Sequence, residues 1–229
     1  MKTLICIPCM DMVHTEFMKS LLAMRRPGGT KIVISQSSLI YDARNNMSRQ
    51  AVKGGFDRVM WLDSDMSFEP DLMERLSARL DEGYDFVSGL YFTRKAPIRP
   101  VVYSECGYFE NEEGAVSPAA VWYDDYPRDT LFEVKATGFG GVMMTIDCIK
   151  AVADKFGLPF APMLGFGEDL SFCGRLSQTD KKMWVDSTIK LGHVGQGTIT
   201  EDVYLQQKEE HHDDTASGED SAQDLDGLV

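Results

Sequence analysis

The stretch Arg58–Leu76, RVMWLDSDMSFEPDLMERL, joins an apolar run to two acidic residues. Arg58–Leu62 has the composition of a buried β-strand, and this run stops at Asp63 and Asp65. Pro70 then falls in the first turn of a helix, where its missing N–H group costs no hydrogen bond. The order of strand, acidic loop and helix predicts a βα unit whose loop carries two carboxylates.

Two earlier units repeat this order of strand and helix. Leu4–Pro8 and Lys31–Ser35 are short β-rich runs, and helical spacing of apolar residues follows each of them, in His14–Arg26 and in Ile40–Lys53. Strands that alternate with such helices predict an α/β fold with a Rossmann-like, mostly parallel sheet and flanking helices. Ligands of these sheets bind at the carboxyl ends of the strands, which is where the two aspartates lie.

The second half of the chain changes character. After the strand-like Phe86–Tyr91, residues 92–136 are rich in turn formers and aromatic residues, so we expect a smaller half of mixed β-structure and loops. Thr137–Ile146 (TGFGGVMMTI) adds a glycine-rich bend and a strand, and Gly167–Leu176 (GEDLSFCGRL) predicts the start of a helix. The segment MWVDSTIKLGHVG supplies a last strand and a histidine between glycines.

The negative charge is concentrated at the C-terminal end. The chain has a formal net charge of -13, and residues 201–229 hold ten Asp and Glu against one Lys. The rest of the chain is close to neutral, so a broad basic surface for nucleic acid is not indicated. We expect one folded domain, residues 1–208, and a disordered acidic tail, residues 209–229, which has too few apolar groups to offset the cost of ordering.

The cysteines and the hydropathy indicate a soluble, cytoplasmic protein. Five cysteines, an odd number in mostly apolar segments, are typical of reduced thiols. Cys6 and Cys9 form a C-x-x-C that is compatible with a redox pair or half a zinc site, but Cys6 lies within a strand-like run and no second C-x-x-C follows. No apolar run is long enough to cross a bilayer.

The aspartate pair suits a divalent cation. Residues two apart in extended backbone point the same way, so Asp63 and Asp65 can face one site. Carboxylates on a partly exposed loop suit Mg²⁺ or Mn²⁺, which complete their coordination with water and substrate phosphates. The plainer interpretation is a turn that precedes the helix at Pro70, and this motif alone leaves both interpretations open.

Taken in order along the chain, several motifs resemble those of nucleotide-sugar-dependent glycosyltransferases of the GT-A fold, particularly the small inverting enzymes of bacterial and viral type. The matching segments, spread from residue 4 to residue 195, are LICIPC, YDARNNMSRQAV, MWLDSDM as the D-x-D motif, GFGEDLSFCGRL and GHVG. The resemblance implies a metal-dependent, hexosyltransferase-like enzyme with the GT-A fold. Its donor would be a nucleoside-diphosphate sugar, with a UDP-sugar favoured, and transfer to an acceptor hydroxyl would invert the anomeric configuration.

The resemblance also implies roles in metal binding. Asp65 would bind Mn²⁺ or Mg²⁺ directly, and Asp63 would contact the ribose or reach the metal through water. Ser64 lies between them in the same donor-binding loop. His193 would complete the metal site, whereas on its own it would be read as a packed histidine at a strand end.

Further residues receive roles in catalysis or nucleotide binding. Asp169, paired with Glu168, matches the general base of inverting enzymes, although both acids also suit a helix N-terminus. Arg44 and Asn45 match an element near the donor nucleotide, but Arg44 could equally be a solvated helix residue bonded to Asp42 or Asp57. The resemblance places the nucleobase pocket at Pro8 and at the segment Ser35-Gln36, where Ser-Gln replaces the usual acidic residue.

Other functions compete with this one. A phosphatase of the haloacid-dehalogenase type carries its D-x-D motif after the first strand, whereas here the motif follows the third. A nucleotidyltransferase needs a glycine-rich, basic loop after the first strand, which IPCMDMVH does not provide. A catalytically silent binding protein on the same fold remains an alternative. The acceptor, whether a glycan, a protein or a modified nucleobase, and the oligomeric state stay open.

Overall fold

A computed structural model describes residues 1–110, 114–195 and 197–218. Its helices are α1 (Thr15–Ala23), α2 (Ile40–Lys53), α3 (Leu72–Asp81), α4 (Ile146–Phe156), α5 (Glu168–Leu176) and α6 (Glu201–Gly218). Its strands are β1 (Thr3–Cys9), β2 (Thr30–Gln36), β3 (Arg58–Leu62), β4 (Met66–Ser67), β5 (Phe86–Leu90), β6 (Val102–Glu110), β7 (Val116–Trp122), β8 (Leu131–Val134), β9 (Ala136–Thr137), β10 (Gly141–Thr145), β11 (Met183–Lys190), β12 (Gly192–Val194) and β13 (Thr198–Ile199).

The centre of the molecule is a seven-stranded sheet with the order β2-β1-β3-β10-β5-β11-β8. Five of the seven strands run in one direction, and β10 and β8 run against them. After β3 the chain passes through α3 and returns to the sheet as β5. Strand β10 lies between β3 and β5 and is antiparallel to both. The predicted α/β fold with a mostly parallel sheet is confirmed.

Helices cover both faces of this sheet because its central strands are apolar on both sides. Trp61 of β3 packs in the cluster that includes residues of α2, α4 and α5, whereas Met60 packs in the cluster of α1 and α3. Successive strand residues point to opposite faces, so a strand with no polar position is buried on both. The continuous apolar run of β3 therefore places the D-x-D loop at the edge of a rigid core.

Two small sheets form the second half of the fold. One consists of β7, β6 and β9, and the other of β13, β12 and β4. Strand β4 follows the D-x-D loop directly, and its Met66 pairs with His193 of β12. This pairing brings the acidic loop next to a histidine more than a hundred residues later in the sequence.

The helices and strands predicted for the first half of the chain agree well with the structure. The helix Ile40–Lys53 and the strand Arg58–Leu62 have the predicted bounds, and the helix expected at Pro70 begins two residues later, at Leu72. Helix α6 extends to Gly218, into the segment 209–229 for which we predicted disorder, and residues 219–229 lie outside the described residues. No helix in the described part of the chain is long and apolar enough to cross a bilayer.

Candidate active site

An open cleft of about 700 Å³ lies at the carboxyl ends of β1, β2, β3 and β5. This is the position at which open α/β sheets bind their ligands. Six residues predicted from the sequence line it: Pro8, Asp63, Ser64, Asp65, Asp169 and His193.

The backbone of the D-x-D loop is held by a hydrogen bond within its own turn and by two separate segments of the chain. The carbonyl oxygens of Asp63, Ser64 and Asp65 accept hydrogen bonds from the N–H groups of Met66 (3.3 Å), His14 (3.1 Å) and Val194 (2.7 Å). Because the main chain is fixed in this way, the two carboxylates can face the cleft without forming the turn themselves. The loop is therefore pre-organised for binding.

Asp65 and His193 form the part of the cleft best suited to a cation. The Nδ1 atom of His193 lies 2.8 Å from the Phe92 carbonyl oxygen, and its Nε2 atom lies 3.4 Å from Asp65 Oδ2. A carbonyl oxygen only accepts hydrogen bonds, so Nδ1 carries a proton and Nε2 points at the carboxylate, as in histidines that bind metals. Burial opposes the charge on Asp65, but His193 and Arg94 outweigh it and lower its pKa.

The carboxylate of Asp63 accepts a hydrogen bond from a buried arginine, Arg44. Arg44 donates from Nη2 to Asp63 Oδ1 at 2.7 Å and from Nε to Glu168 Oε1 at 3.1 Å, and only 1% of its side chain is exposed. Its guanidinium also lies 5.4 Å from the ring centroid of Trp61 and 5.3 Å from that of Phe139. Burial opposes the charge of Arg44, but the neighbouring carboxylates raise its pKa.

The burial of Arg44 contradicts its interpretation as a solvated helix residue, whereas its place near the donor nucleotide stays a prediction. The guanidinium neither contacts the cleft nor pairs in solvent with Asp42 or Asp57. The reason is helical spacing, because Arg44 shares the buried face of α2 with Met47 and Ala51. Arg44 supports the cleft by holding two of its acidic residues.

Two further residues predicted to bind the nucleotide also lie off the cleft wall. Asn45 is buried, and its Oδ1 accepts a hydrogen bond from the Phe160 N–H group at 2.9 Å. Ser35 pairs in register with Pro8, but the serine of this segment that lines the cleft is Ser37. A direct contact of Ser35, Arg44 or Asn45 with the nucleotide is not supported.

Asp169 is a half-buried carboxylate that also lines the cleft. It is the second residue of α5, and its Oδ1 accepts a hydrogen bond from the Leu170 N–H group at 2.7 Å. Burial and the charge of Glu168 raise the pKa of Asp169 to about 6. A carboxylate with such a pKa is suited to accept a proton near neutral pH.

The glycine-rich bend Thr137–Gly141 serves a side chain instead of a ligand. A Cβ atom on Gly138 would lie 2.0 Å from the Tyr91 hydroxyl oxygen, and the Gly140 N–H group donates to that oxygen at 3.3 Å. The Tyr91 side chain therefore fills the space beside these glycines. Burial raises the pKa of Tyr91 well above its ordinary value.

Sequence reasoning missed several cleft residues. Thr93, Arg94 and Lys95 line the cleft from the turn-rich segment that gave no motif, and the adjacent basic pair was its only signal. Tyr91 lines the cleft from the end of the preceding strand-like run. His14 starts α1 as expected, but it also lines the cleft. The cysteines of the C-x-x-C motif are free thiols, with Cys6 buried in the core and Cys9 in the cleft wall.

The arrangement fits a cation that shares its coordination with a substrate. Among the described residues, no group of three or more His, Cys, Asp or Glu side chains is placed to hold a metal ion. Asp65 and His193 offer one oxygen and one nitrogen ligand, and water and phosphate oxygens are the usual further ligands of Mg²⁺ and Mn²⁺. Two protein ligands fall short of the four that a closed structural metal site has.

Comparison with known proteins agrees with the fold. No protein-family model matches the sequence, and no curated protein matches it either. The architecture is similar to that of GT-A glycosyltransferases. Among solved structures, A197 from STIV has a TM-score of 0.62 and 20% identity over 85% of this chain and 86% of that one.

A second similar structure is GalNAc-T7 with UDP, GalNAc and Mn²⁺, with a TM-score of 0.56 and 11% identity. It is matched over 85% of this chain and 44% of that chain, so this protein spans less than half the length of GalNAc-T7. Identities this low establish similarity of fold alone.

Proposed function

We propose that the protein is a metal-dependent glycosyltransferase that moves a sugar from a nucleoside-diphosphate sugar to an acceptor hydroxyl with inversion. One observation carries the proposal: Asp65, His193 and Asp169 line a single cleft at the carboxyl ends of the sheet strands. Asp65 and His193 suit a cation that binds the donor diphosphate, and the carboxylate of Asp169 suits a general base. The similarity to a structure that holds UDP and Mn²⁺ supports this assignment.

The residues divide the chemistry between them. Asp65 and His193 would hold Mn²⁺ or Mg²⁺, which supplies positive charge for the leaving diphosphate. Asp63, whose Oδ1 accepts a hydrogen bond from Arg44, would contact the ribose of the donor with its other carboxylate oxygen. Asp169 accepts the proton of the acceptor hydroxyl as that oxygen attacks the anomeric carbon. A single base with direct attack inverts the configuration.

The acceptor enters between the sheet and the β6–β7 hairpin in this proposal. The thiol of Cys106 in β6 donates to the Leu170 carbonyl oxygen at 4.0 Å, so the hairpin packs beside the residue that follows Asp169. Tyr103 and Trp122 form an aromatic pair on this hairpin, with centroids 4.6 Å apart. Tyr103 is buried and Trp122 packs against the core, so this pair stabilises the hairpin, and the acceptor class stays between a glycan, a protein hydroxyl and a modified nucleobase.

A catalytically silent nucleotide-binding protein is the second candidate. The observation that favours it is that each aspartate of the D-x-D motif already has an arginine partner, Arg44 on Asp63 and Arg94 on Asp65. In such a protein the arginines would remain in place and no sugar would be transferred. A nucleotidyltransferase is a weaker candidate, because the loop after β1 offers neither glycine nor lysine for phosphates.

The direct test is to screen the pure protein against a panel of nucleotide sugars with Mn²⁺ and to measure release of nucleoside diphosphate. We expect release from at least one donor, and Asp65→Asn should reduce it on the order of 10²-fold or more because a ligand charge is lost. Glu69→Gln, an exposed acid four residues away, is the matched control and should retain activity.

Two outcomes would favour the alternatives. Binding of UDP or GDP with no release from any donor would indicate the silent binding protein. Pyrophosphate formation from a nucleoside triphosphate and a sugar phosphate would indicate a nucleotidyltransferase.

A further inference from the structure

One carboxylate oxygen of Asp65 faces two positively charged or basic groups. Its Oδ2 atom lies 2.5 Å from Arg94 Nη1 and 3.4 Å from His193 Nε2. A cation between Asp65 and His193 would use the oxygen that Arg94 now binds. Arg94 and the cation therefore compete for the same ligand atom.

The two groups differ in how firmly they are held. His193 is anchored through Nδ1 to the Phe92 carbonyl oxygen and is mostly buried, whereas the Arg94 side chain is 44% exposed. Arg94 lies at the start of a turn closed by hydrogen bonds between Thr93 and Arg99, at 2.9 and 3.0 Å. The backbone of this turn is fixed, but the guanidinium can swing away from Asp65 without breaking any of these bonds.

The charges of the cleft indicate which group the Arg94 guanidinium would bind after it leaves Asp65. Asp63 is already paired with Arg44, so Arg94 is the arginine that pairs with Asp65 when no metal is bound. A divalent ion at Asp65 would repel the guanidinium by like charge. A diphosphate on that ion would be the nearest anion, and a guanidinium fork binds phosphate oxygens in a bidentate manner.

We propose that Arg94 is an exchangeable counter-ion, which holds Asp65 in the metal-free protein, leaves it when Mn²⁺ or Mg²⁺ binds, and then binds the diphosphate of the donor. This inference rests on the proposed function. It predicts two opposite effects of the Arg94 side chain. Arg94 hinders binding of the metal alone, and it assists binding of the metal together with its nucleotide. A residue with a merely structural role would not show this reversal of sign.

The test is to titrate Mn²⁺ into the protein without nucleotide, followed by electron paramagnetic resonance of free Mn²⁺, and then to titrate UDP at saturating Mn²⁺. Arg94→Ala should bind Mn²⁺ alone about two- to fivefold more tightly, since a partly exposed ion pair no longer competes. The same variant should bind UDP in the presence of Mn²⁺ about tenfold more weakly, because a charge-assisted hydrogen bond to phosphate is lost.

The matched control is Lys53→Ala, which removes an exposed positive charge at the end of α2, outside the cleft lining. Lys53 forms no ion pair with any residue that the structure describes, so its removal should change the affinity for Mn²⁺ alone by less than twofold. Arg94→Lys keeps the charge and loses the fork, so it should restore competition for Asp65 more fully than affinity for UDP.

The outcomes separate this inference from the proposed function. If wild-type protein binds Mn²⁺ with UDP but Arg94→Ala binds Mn²⁺ no more tightly, the exchange is wrong and the proposed function stands. Unchanged UDP affinity in Arg94→Ala would likewise overturn the exchange. If wild-type protein binds no Mn²⁺ even with UDP or GDP present, both are overturned.

Discussion

Asp169 is the residue on which the chemistry of the proposal depends. It lies in the first turn of α5, where an acid is favourable for the helix, so its position in the sequence has two explanations. The structure adds that its carboxylate lines the cleft and that burial and Glu168 raise its pKa to about 6. A raised pKa means that the charged form is disfavoured in the folded protein. Above pH 6, where Asp169 is charged, burial of its carboxylate therefore lowers the stability of the folded protein. Such a cost is expected of a functional group.

The variant Asp169→Asn separates a base from a helix-capping residue. Turnover should fall on the order of 10²–10⁴-fold because asparagine cannot accept the proton, while the affinity for UDP with Mn²⁺ should change little. Stability at pH 7 should not decrease, since the variant removes a charge whose burial is unfavourable. Loss of a cap would instead cost about 1 kcal/mol. Steady-state kinetics, calorimetry and urea unfolding measure the three quantities.

The pH dependence of the wild-type enzyme follows from the same group. A base works only when deprotonated, so kcat/KM should rise from about pH 5 to pH 7 and level off above the pKa of about 6. The control Asp147→Asn, which replaces an exposed first-turn acid of α4, should retain this limb. A fully active Asp169→Asn enzyme, or a product that keeps the donor's anomeric configuration, would contradict the assignment.

At the scale of elements, Arg44 ties three segments together under the cleft. It belongs to α2 and bonds Asp63 at the end of β3 and Glu168 at the start of α5. Helix α2 and strand β3 could be predicted because their apolar residues follow simple periods. The position of Arg44 could not, because a charged residue in a helix is ordinarily exposed and its two partners are distant in the sequence.

Substitution of Arg44 by lysine should weaken the fold more than the donor site. A single ammonium group cannot reach both carboxylates, so we expect a loss of about 1–3 kcal/mol in the free energy of unfolding. Arg49→Lys, an exposed change in the same helix, should be nearly neutral. Metal-dependent UDP affinity should fall less in Arg44→Lys than in Asp65→Asn. The reverse ranking would indicate that Arg44 anchors the donor, and urea unfolding with calorimetry decides between the two.

At the scale of the whole molecule, the site is assembled from both halves of the chain. Parallel βα units predicted that Asp63 and Asp65 lie at a ligand-binding edge, and a parallel sheet follows from local patterns alone. The placement of His193 and Asp169 around the same cleft depends on β4 pairing with β12 and on α5 packing beside β9. Such long-range pairings leave no local signal, and only the resemblance to known motifs anticipated them. Arg94 belongs to no sequence motif and to no periodic pattern, and only the structure shows its contact with Asp65.

The central claim is that this cleft binds a nucleoside diphosphate through a divalent cation. The measurement that tests it most directly is calorimetric titration of UDP and of GDP into the protein with Mn²⁺ and again with excess chelator. The account predicts that at least one nucleotide binds with Mn²⁺, that the chelator weakens this binding at least tenfold, and that Asp65→Asn has the same effect. Equal affinity with and without the metal would contradict it, because no cation would then join Asp65 and His193 to the diphosphate.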